Sequence, residues 1–559
     1  GSWNNLTDPK EGAAGTRFSR NTDPMSGVPK SEEELVTPNP REISRVLLPR
    51  DGDMKKVPFL NMLSATWIQF MTHDWVSHGE NMTRDFIKVP ITDEDPARDR
   101  FRSPFMYVPR TQPDPTRSAE DGDRPEQYVN EVTHWWDGSQ IYGSDEETMN
   151  RLRSFTDGKM RLQDDGRLPL GQNGVEETGF NRNWWVGLTL MHNLFVKEHN
   201  SICDKLKSSY PDWDDNRIFH TARMINAALM AKIHTVEWTP AILPNKMLAS
   251  GMNANWFGLH EIVKTPENRT TVSPLNIRSS VVGGIVGNPI NKQGQPFFLS
   301  EEFTEVYRLH SLLPDHFEIT SLDTKEKIDD ISLAGVRQAA SSKITEKHEM
   351  KDLLYSFGNL QPGQLVLNNF PATLQNLSIP GNPLYDLGAV DILRARERGV
   401  PRYNEFRRQL GLHPITCFED LFRNSDHDVL SREQVEIAAK LKKLYNDDIE
   451  SIDLLIGTLA ENVRPTGFGF GETMFQVFIL NASRRLQADR FFTTDYDAEH
   501  YTQEGLDWVD QNSLKSVLLR HHPELAKSGL SEVNNAFEPW DEGEMDEETH
   551  KARHPLDHL

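Results

Sequence analysis

The chain has 559 residues, with 61 basic side chains against 84 acidic ones and a formal net charge of −23. This balance excludes a general nucleic-acid binder, because neutralising phosphates requires a basic surface. Two cysteines cannot form a disulfide framework. The sequence contains no run of 18 apolar residues, so we expect no membrane-spanning helix. No signal peptide is visible, so we expect a soluble or peripheral protein and leave its compartment open.

The composition divides the chain into three regions. Residues 1–56 are polar and rich in proline and glycine, which predicts a partly irregular arm that is either wrapped on the surface or partly disordered. Residues 57–540 form the body, and residues 541–559 form an acidic, polar tail. Within the body, apolar periodicity predicts a mainly α fold with long loops at 79–130 and 265–300. The predicted helices span about 59–78, 184–208, 215–249, 300–313, 325–360, 431–445 and 472–487.

The first of these helices carries Gln69 and His73, four residues apart and therefore on one face. Polar side chains on a buried helix need partners, because burying them unsatisfied is costly. The partner can be a core hydrogen-bond network, a metal or a ligand. A lone buried histidine is more often a satisfied core residue than a ligand.

The segment 131–144 places oxygen donors at alternating positions. Thr133, Asp137 and Ser139 flank Trp135, whose carbonyl can join them. Calcium takes six to eight oxygens, including backbone carbonyls, so this loop supplies part of a calcium shell. Asp74 is a candidate for a further carboxylate. The alternative is an Asp-Gly turn held by local hydrogen bonds.

Two further segments carry candidate chemistry. In the predicted helix 300–313, Tyr307 and His310 are one turn apart, with roughly 5–6 Å between their β-carbons. A neutral imidazole is a common metal ligand, and the alternative is a core Tyr–His hydrogen bond. Arg484 and Arg485 close an apolar helix, where arginines are usually solvated ends. An arginine that faces inward would instead clamp an anion, since guanidinium binds carboxylate bidentately.

Taken together, these segments resemble the haem peroxidase–cyclooxygenase superfamily, which includes the animal haem peroxidases, and within it the fatty-acid α-dioxygenases. The resemblance covers about residues 55 to 540, and its motifs follow in the family's order. The motifs are Trp67–Trp75, Trp135–Ser139, Leu194–Asn200, Glu301–Ser311, Val400–Arg408 and Ala482–Phe492.

The resemblance implies a mainly α, haem peroxidase/cyclooxygenase-like catalytic domain and a role for each matching residue. His73 corresponds to the distal haem histidine and Gln69 to its partner. His310 corresponds to the proximal iron ligand and Tyr307 to a tyrosine that becomes a radical. Asp391 stands at a position where mammalian peroxidases have an asparagine bonded to the proximal histidine. The groups that correspond to those binding the fatty-acid carboxylate are His234, Arg484 and Arg485. The calcium site corresponds to Asp74, Thr133, Trp135, Asp137 and Ser139.

The implied activity is oxygenation of a fatty acid by O2 to a 2-hydroperoxide, which decays to CO2 and a shortened aldehyde, with peroxide as the activator. The implied cofactors are calcium and haem b. The haem is expected to be non-covalent, because Thr72 and Trp185 stand where mammalian peroxidases carry ester-forming acids. We expect a monomer whose membrane contact, if it has one, is peripheral. The alternatives are a haem peroxidase acting on small reductants and a haem-free binding protein with the same fold.

Overall fold

The computed structural model describes residues 1–50, 52–81, 85–271, 282–379, 382–423, 428–462, 464 and 468–541. The predicted mainly α fold is confirmed, with 46% of the chain helical. The helices are α1 (Glu32–Val36), α2 (Pro40–Leu47), α3 (Met62–Trp75), α4 (Ala97–Phe101), α5 (Ser139–Tyr142), α6 (Glu146–Leu152), α7 (Val186–Ser209), α8 (Asp215–Ile233), α9 (Thr239–Ile242), α10 (Lys246–Phe257), α11 (Glu301–Val306), α12 (Ala340–Lys347), α13 (Met350–Asn359), α14 (Ala372–Gln375), α15 (Leu387–Glu397), α16 (Tyr403–Gln409), α17 (Arg432–Leu444), α18 (Leu454–Ala460), α19 (Glu472–Ala488), α20 (Gln503–Gln511) and α21 (Leu514–His521).

Short antiparallel strand pairs line the connections between these helices. The predicted long loop at 79–130 contains a hairpin of two strands. A second hairpin occupies residues up to 332, where the predicted helix over 325–360 was expected to begin. In the described ranges the pairs are β1 (Thr16–Arg17) with β4 (Val129–Asn130), β2 (Phe86–Pro90) with β3 (Phe105–Pro109), β5 (His316–Thr320) with β6 (Lys327–Ser332), and β7 (Leu377–Ile379) with β8 (Asn382–Tyr385).

Helix α3 lies at the centre of the body. Twelve of its 14 residues are buried, and only Gln69 and Thr72 are half-buried. It packs against α7, α5 and α13. Its start is tied to the other end of the chain, because the Asn61 backbone N–H donates to the Phe537 carbonyl at 2.8 Å. The polar residues of α3 are therefore held at fixed positions inside the protein.

The N-terminal arm packs on the body over its described residues. Arg41 of α2 is buried, and its guanidinium contacts Asp95 at 2.8 Å and Asp386 at 2.7 Å. Asp386 in turn caps α15 by accepting from the Ala389 backbone N–H. At the other end, the predicted tail lies outside the described residues from 542 onward.

The predicted helix over 215–249 is wrong as a single element. Helix α8 ends at Ile233 and passes into a π-helical turn over His234–Trp238 before α9 begins. Pro240 lacks an N–H and its ring crowds the carbonyl four residues earlier, which disfavours a continuous α-helix here. The chain then breaks at Leu243–Asn245 and restarts as α10. Turns of this kind occur often at functional sites.

Among the described residues no helix is long and apolar enough to cross a bilayer. Cys203 and Cys417 are both free thiols, in agreement with the expected absence of a disulfide framework.

Candidate active site

His73 lies buried on α3, and its Nδ1 finds no hydrogen-bond partner within the described residues. Its ring meets Phe180 edge-on, with 4.8 Å between centroids. Burial lowers the pKa of His73 to about 3, so the imidazole is neutral at pH 7. A neutral imidazole that is free of internal bonds can accept or pass on a proton from a small ligand.

Gln69 has partners other than His73. Its Oε1 accepts from Trp185 Nε1 at 2.8 Å, and its Nε2 donates to the Asn183 carbonyl at 3.4 Å. The predicted pairing of Gln69 with the distal histidine is therefore not a direct hydrogen bond here. The amide is fixed by the turn that precedes α7 and stays on the same face of α3 as His73.

The prediction that one helix carries both Tyr307 and His310 is wrong. Helix α11 ends at Val306, Tyr307 lies just beyond it with φ −89° and ψ 24°, and His310 begins a short 3-10 turn. A contact with the distant helix α15 accounts for the position of His310, whereas Tyr307 keeps an i,i+4 contact of the helical kind. Tyr307 packs on the aromatic ring of Phe303, with 4.6 Å between centroids. His310 turns instead toward Asp391 of α15.

The His310–Asp391 contact is short. His310 Nδ1 lies 2.8 Å from Asp391 Oδ2, and the carboxylate is 1% exposed. Arg308 Nε lies 3.7 Å from the other carboxylate oxygen. Within the described residues, neither His310 Nδ1 nor either oxygen of Asp391 makes a hydrogen bond, so the carboxylate faces the imidazole as a close charge. A carboxylate that accepts from one ring nitrogen would fix the orientation and tautomer of an imidazole that binds a metal through the other.

Helix α3 and the 301–310 segment meet through Trp75. The indole of Trp75 lies 5.9 Å from the ring of Phe303 and 6.1 Å from that of Tyr307, centroid to centroid. One turn beyond the helix, His78 Nε2 contacts Glu301 Oε2 at 2.9 Å. The segment that carries the predicted distal histidine thus packs directly on the segment that carries the predicted proximal one.

Arg485 is a buried guanidinium, and no counter-anion of the described residues lies within hydrogen-bonding reach of it. Its Cζ lies 3.8 Å from the ring centroid of Trp75 and 4.5 Å from that of Trp136. Its Nε and Nη2 have no hydrogen-bond partner among the described residues. Burial lowers the pKa of Arg485 to about 9, although Asp74 and Tyr307 act in the opposite direction. Cation–π contacts stabilise such a cation only partly.

His234 belongs to the same aromatic enclosure. Its ring stacks on Trp238 at 4.7 Å and meets Trp75 edge-on at 5.2 Å. Trp67 Nε1 donates to His234 Nδ1 at 3.2 Å. Burial, together with the charge of Arg485, lowers the pKa of His234 well below its ordinary value. The neutral ring therefore carries its proton on Nε2, which is left as a donor.

Arg484 is not part of this enclosure. Its side chain is half-buried and its Nη2 donates to the carbonyls of Gln295 and Pro296, at 3.3 and 3.0 Å. The Arg484 guanidinium points toward these two carbonyls and away from the enclosure, so its position does not support the predicted role in holding a carboxylate. Neighbouring residues on a helix point about 100° apart, so only Arg485 faces inward.

The predicted calcium residues come together beside His73. Ser139 Oγ donates to Asp74 Oδ1 at 2.9 Å, the Ser139 N–H donates to Asp137 Oδ1 at 3.1 Å, and Thr133 Oγ1 donates to the Trp135 carbonyl at 3.4 Å. Across the described residues, no three His, Cys, Asp or Glu side chains form a metal-binding group. A cation here would therefore need the hydroxyl and backbone oxygens of this cluster as well as its two carboxylates.

The two carboxylates of this cluster have opposite shifts. Burial raises the pKa of Asp74 to about 8, and the charge of Asp137 adds to the rise. Burial also favours protonation of Asp137, but the Arg223 guanidinium, 3.5 Å away, and hydrogen bonds from Ser139 and Thr133 lower its pKa.

Sequence analysis missed the residues that enclose Arg485 and His234. Trp75 and Trp136 were interpreted as parts of motifs or of the core, and Trp238 was not singled out. The available signals were the two tryptophans at 135–136 and the proline at 240, which marks the distorted turn after His234.

Comparison with known proteins identifies the family. The model of the animal haem peroxidase family matches residues 1–533. The alpha-dioxygenase PIOX of Oryza sativa subsp. japonica is 36% identical over 97% of this chain and 85% of its own length. Among solved structures, an Arabidopsis thaliana fatty acid alpha-dioxygenase superposes with a TM-score of 0.86 at 35% identity, over 97% of this chain and 82% of its own.

A crystal structure of an Oryza sativa fatty acid alpha-dioxygenase variant with palmitic acid has a TM-score of 0.85 at 35% identity, and the match covers 96% of this chain and 86% of that one. These matches extend over nearly the whole body. The chain therefore belongs to the animal haem peroxidase family, in the branch formed by the alpha-dioxygenases.

Proposed function

We propose that this protein is a haem-dependent oxidoreductase that adds O2 to the α-carbon of a fatty acid. The observation that carries the proposal is the buried guanidinium of Arg485, which lacks an anionic partner in hydrogen-bonding reach and lies in the same aromatic cluster as Tyr307. Relatives named fatty acid alpha-dioxygenases, one of them crystallised with palmitic acid, support the substrate class.

The residues present fit a haem group. His310 keeps Nε2 free of hydrogen bonds while Asp391 lies behind Nδ1, as a proximal ligand requires. Bound haem supplies a one-electron oxidant when peroxide reaches its open side. Neither predicted ester position carries an acid: Thr72 donates to the Ile68 carbonyl at 2.7 Å and Trp185 donates to Gln69. The structure therefore supports non-covalent haem.

The substrate carboxylate would be held by two donors of the aromatic enclosure. Arg485 offers a planar fork that matches a carboxylate, and His234 offers Nε2–H. The surrounding indoles exclude water, so the charge pair is screened weakly. Holding the carboxylate fixes the α-carbon, and orientation alone can supply several kcal/mol of a reaction barrier, on the order of 7 or more in well-aligned cases.

Tyr307 is the group that would react with the substrate. Burial raises the pKa of its phenol, with Arg485 acting in the opposite direction, so the hydroxyl stays protonated at neutral pH. Loss of one electron and one proton gives a tyrosyl radical, which takes a hydrogen atom from the α-carbon. O2 adds to the carbon radical, and hydrogen transfer from Tyr307 gives the 2-hydroperoxide and restores the radical. The product decays to CO2, water and the aldehyde one carbon shorter.

Neutral His73 would move the proton of the activating peroxide. Its low pKa leaves the ring as an acceptor at pH 7. Gln69 cannot turn freely toward it, because Trp185 and Asn183 hold its amide. We therefore assign the proton transfer to His73 and a supporting position to Gln69.

Calcium is proposed as a structural ion. The candidate oxygens belong to Asp74, Asp137, Ser139, Thr133 and the Trp135 carbonyl. Asp74 is the residue after His73, so a cation that clamps Asp74 to the 133–139 loop also fixes the end of α3.

Replacing Arg485 by glutamine tests the carboxylate site. Removing a charged partner of a buried carboxylate costs about 2 kcal/mol or more, so kcat/KM for a fatty acid should fall at least about 30-fold. Thermal stability should not fall, because the lost charge is buried without an anionic hydrogen-bond partner. Arg484→Gln is the matched control and should stay within about twofold of the wild type, since its guanidinium faces the surface. Equal losses in both variants would contradict the assignment.

Replacing Tyr307 by phenylalanine separates the dioxygenase from the peroxidase alternative. The phenyl ring keeps the packing against Phe303 and Trp75 but cannot form the radical. Fatty-acid oxygenation should drop to background, while reduction of hydrogen peroxide with a small electron donor continues. Oxygenation that persists in the variant would remove Tyr307 from the mechanism.

Removal of calcium tests the structural ion. The purified protein should contain about one Ca2+ per chain. Dialysis against a chelator should lower both fatty-acid oxygenation and the melting temperature, and added Ca2+ should restore them better than Mg2+ does. Full activity in protein shown by elemental analysis to be free of calcium would refute the site.

A further inference from the structure

Two neighbouring helices present apolar side chains to solvent. On α10, Met247 is 84% exposed, and on α19 Ile479 and Leu480 are 47% and 46% exposed. Leu248, Met252 and Phe475 beside them are half-buried. A contiguous apolar surface on a soluble protein commonly marks an interaction site.

The two helices run side by side in the same direction. Near their starts, the Gly469 N–H donates to the Ile242 carbonyl at 2.9 Å. Thirteen residues further along α10 and 14 along α19, Asn255 Nδ2 donates to Ser483 Oγ at 3.2 Å. The exposed apolar residues of both helices lie between these two connections along the chain. We call the surface that they form the α10–α19 face.

This face lacks the acidic residues that dominate the chain. Residues 238–260 contain a single charged side chain, Lys246, and residues 473–483 contain none, although 26% of all residues are charged. The cations Lys246 and Arg484 stand at its margins. The carboxylate beside this face is Glu472 at the start of α19, and it is paired with Arg407 at 3.2 Å. An apolar centre with cations at its margins and a paired carboxylate at one end is complementary to a phospholipid surface, where side chains insert below the phosphates and cations stay level with them.

Helix α19 also connects this face to the candidate active site. Its opposite side buries Met474, Val477 and Phe478, followed by Arg485. The ring of Phe478 lies 6.5 Å from that of Tyr307, centroid to centroid. A fatty acid whose carboxylate reaches Arg485 would therefore lie against the inner side of the helix whose outer side is exposed and apolar.

We propose that the α10–α19 face, defined by Met247, Leu248, Met252, Phe475, Ile479 and Leu480, docks on a phospholipid bilayer and receives the fatty acid from it. The proposal rests on the proposed function for the identity of the substrate. A second copy of the chain or a protein partner fits this face less well. In a symmetric dimer a second copy would bring the same face and place the Lys246 and Arg484 cations of both copies at one interface. A protein partner would need polar contacts that the face does not offer.

The test is flotation of the haem-loaded protein with phosphatidylcholine vesicles. The wild type should float with the vesicles in both low and high salt, because the contact is mainly apolar. The double variant Met247→Glu/Leu480→Glu should lose at least about fivefold of its vesicle-bound fraction, since carboxylates resist insertion. The matched control Ile328→Glu/Val435→Glu changes residues that are 45% and 52% exposed on β6 and α17, and it should float like the wild type.

Three results would overturn the proposal. These are no flotation of the wild type, equal losses in both double variants, and a change from dimer to monomer in the Met247/Leu480 variant without a change in flotation. The last result would assign the face to a second copy. Peroxidase activity of each variant verifies that it is folded.

A second measurement ties the face to substrate delivery. Oxygenation of a long-chain fatty acid held in vesicles should fall in the Met247/Leu480 variant, while oxygenation of a short, freely dissolved fatty acid stays unchanged. Equal rates with vesicle-held substrate would contradict delivery through this face. If neither acid is oxygenated by the wild type, the proposed function fails, whereas flotation still decides the docking proposal on its own.

Discussion

The structure depends most on a positive charge that is buried without an anion in hydrogen-bonding reach. Taking a guanidinium out of water is costly, and buried ions normally have a counter-ion and satisfied donors. Arg485 has instead two indole rings over its face and, in the described part of the chain, no hydrogen-bond partner for its Nε and Nη2. Asp74 acts on it electrostatically but at no hydrogen-bonding distance. The free protein therefore holds Arg485 in a state that a bound carboxylate would stabilise.

The surroundings of Arg485 keep it the principal charge of the enclosure. His73 and His234 are neutral because burial lowers their pKa values, and Tyr307 remains protonated because burial raises its pKa. A carboxylate that enters would meet one cation and neutral donors. The same neutrality suits hydrogen-atom transfer at Tyr307, because a protonated phenol carries the hydrogen atom that is transferred and a phenolate does not.

Much of this arrangement could be predicted from the sequence, and the rest depends on tertiary contacts. The buried helix around His73 and the capped helix at α17 follow from periodicity and capping. The end of α11 at Val306 could not be predicted locally, because His310 faces Asp391 of the distant helix α15 instead of continuing the helix. The choice between Arg484 and Arg485 likewise depends on which face of α19 meets Trp75. The sequence signal for the π-helical turn at His234 was Pro240.

The central claim is that this enclosure positions the α-carbon of a fatty acid for attack. The most direct measurement is incubation of the haem-loaded protein with a saturated fatty acid and O2, with mass analysis of the products. The account predicts a 2-hydroperoxy acid and the aldehyde one carbon shorter, with no oxygen at other carbons of the chain. Oxygen spread along the chain, or peroxide consumption without any fatty-acid product, would contradict it.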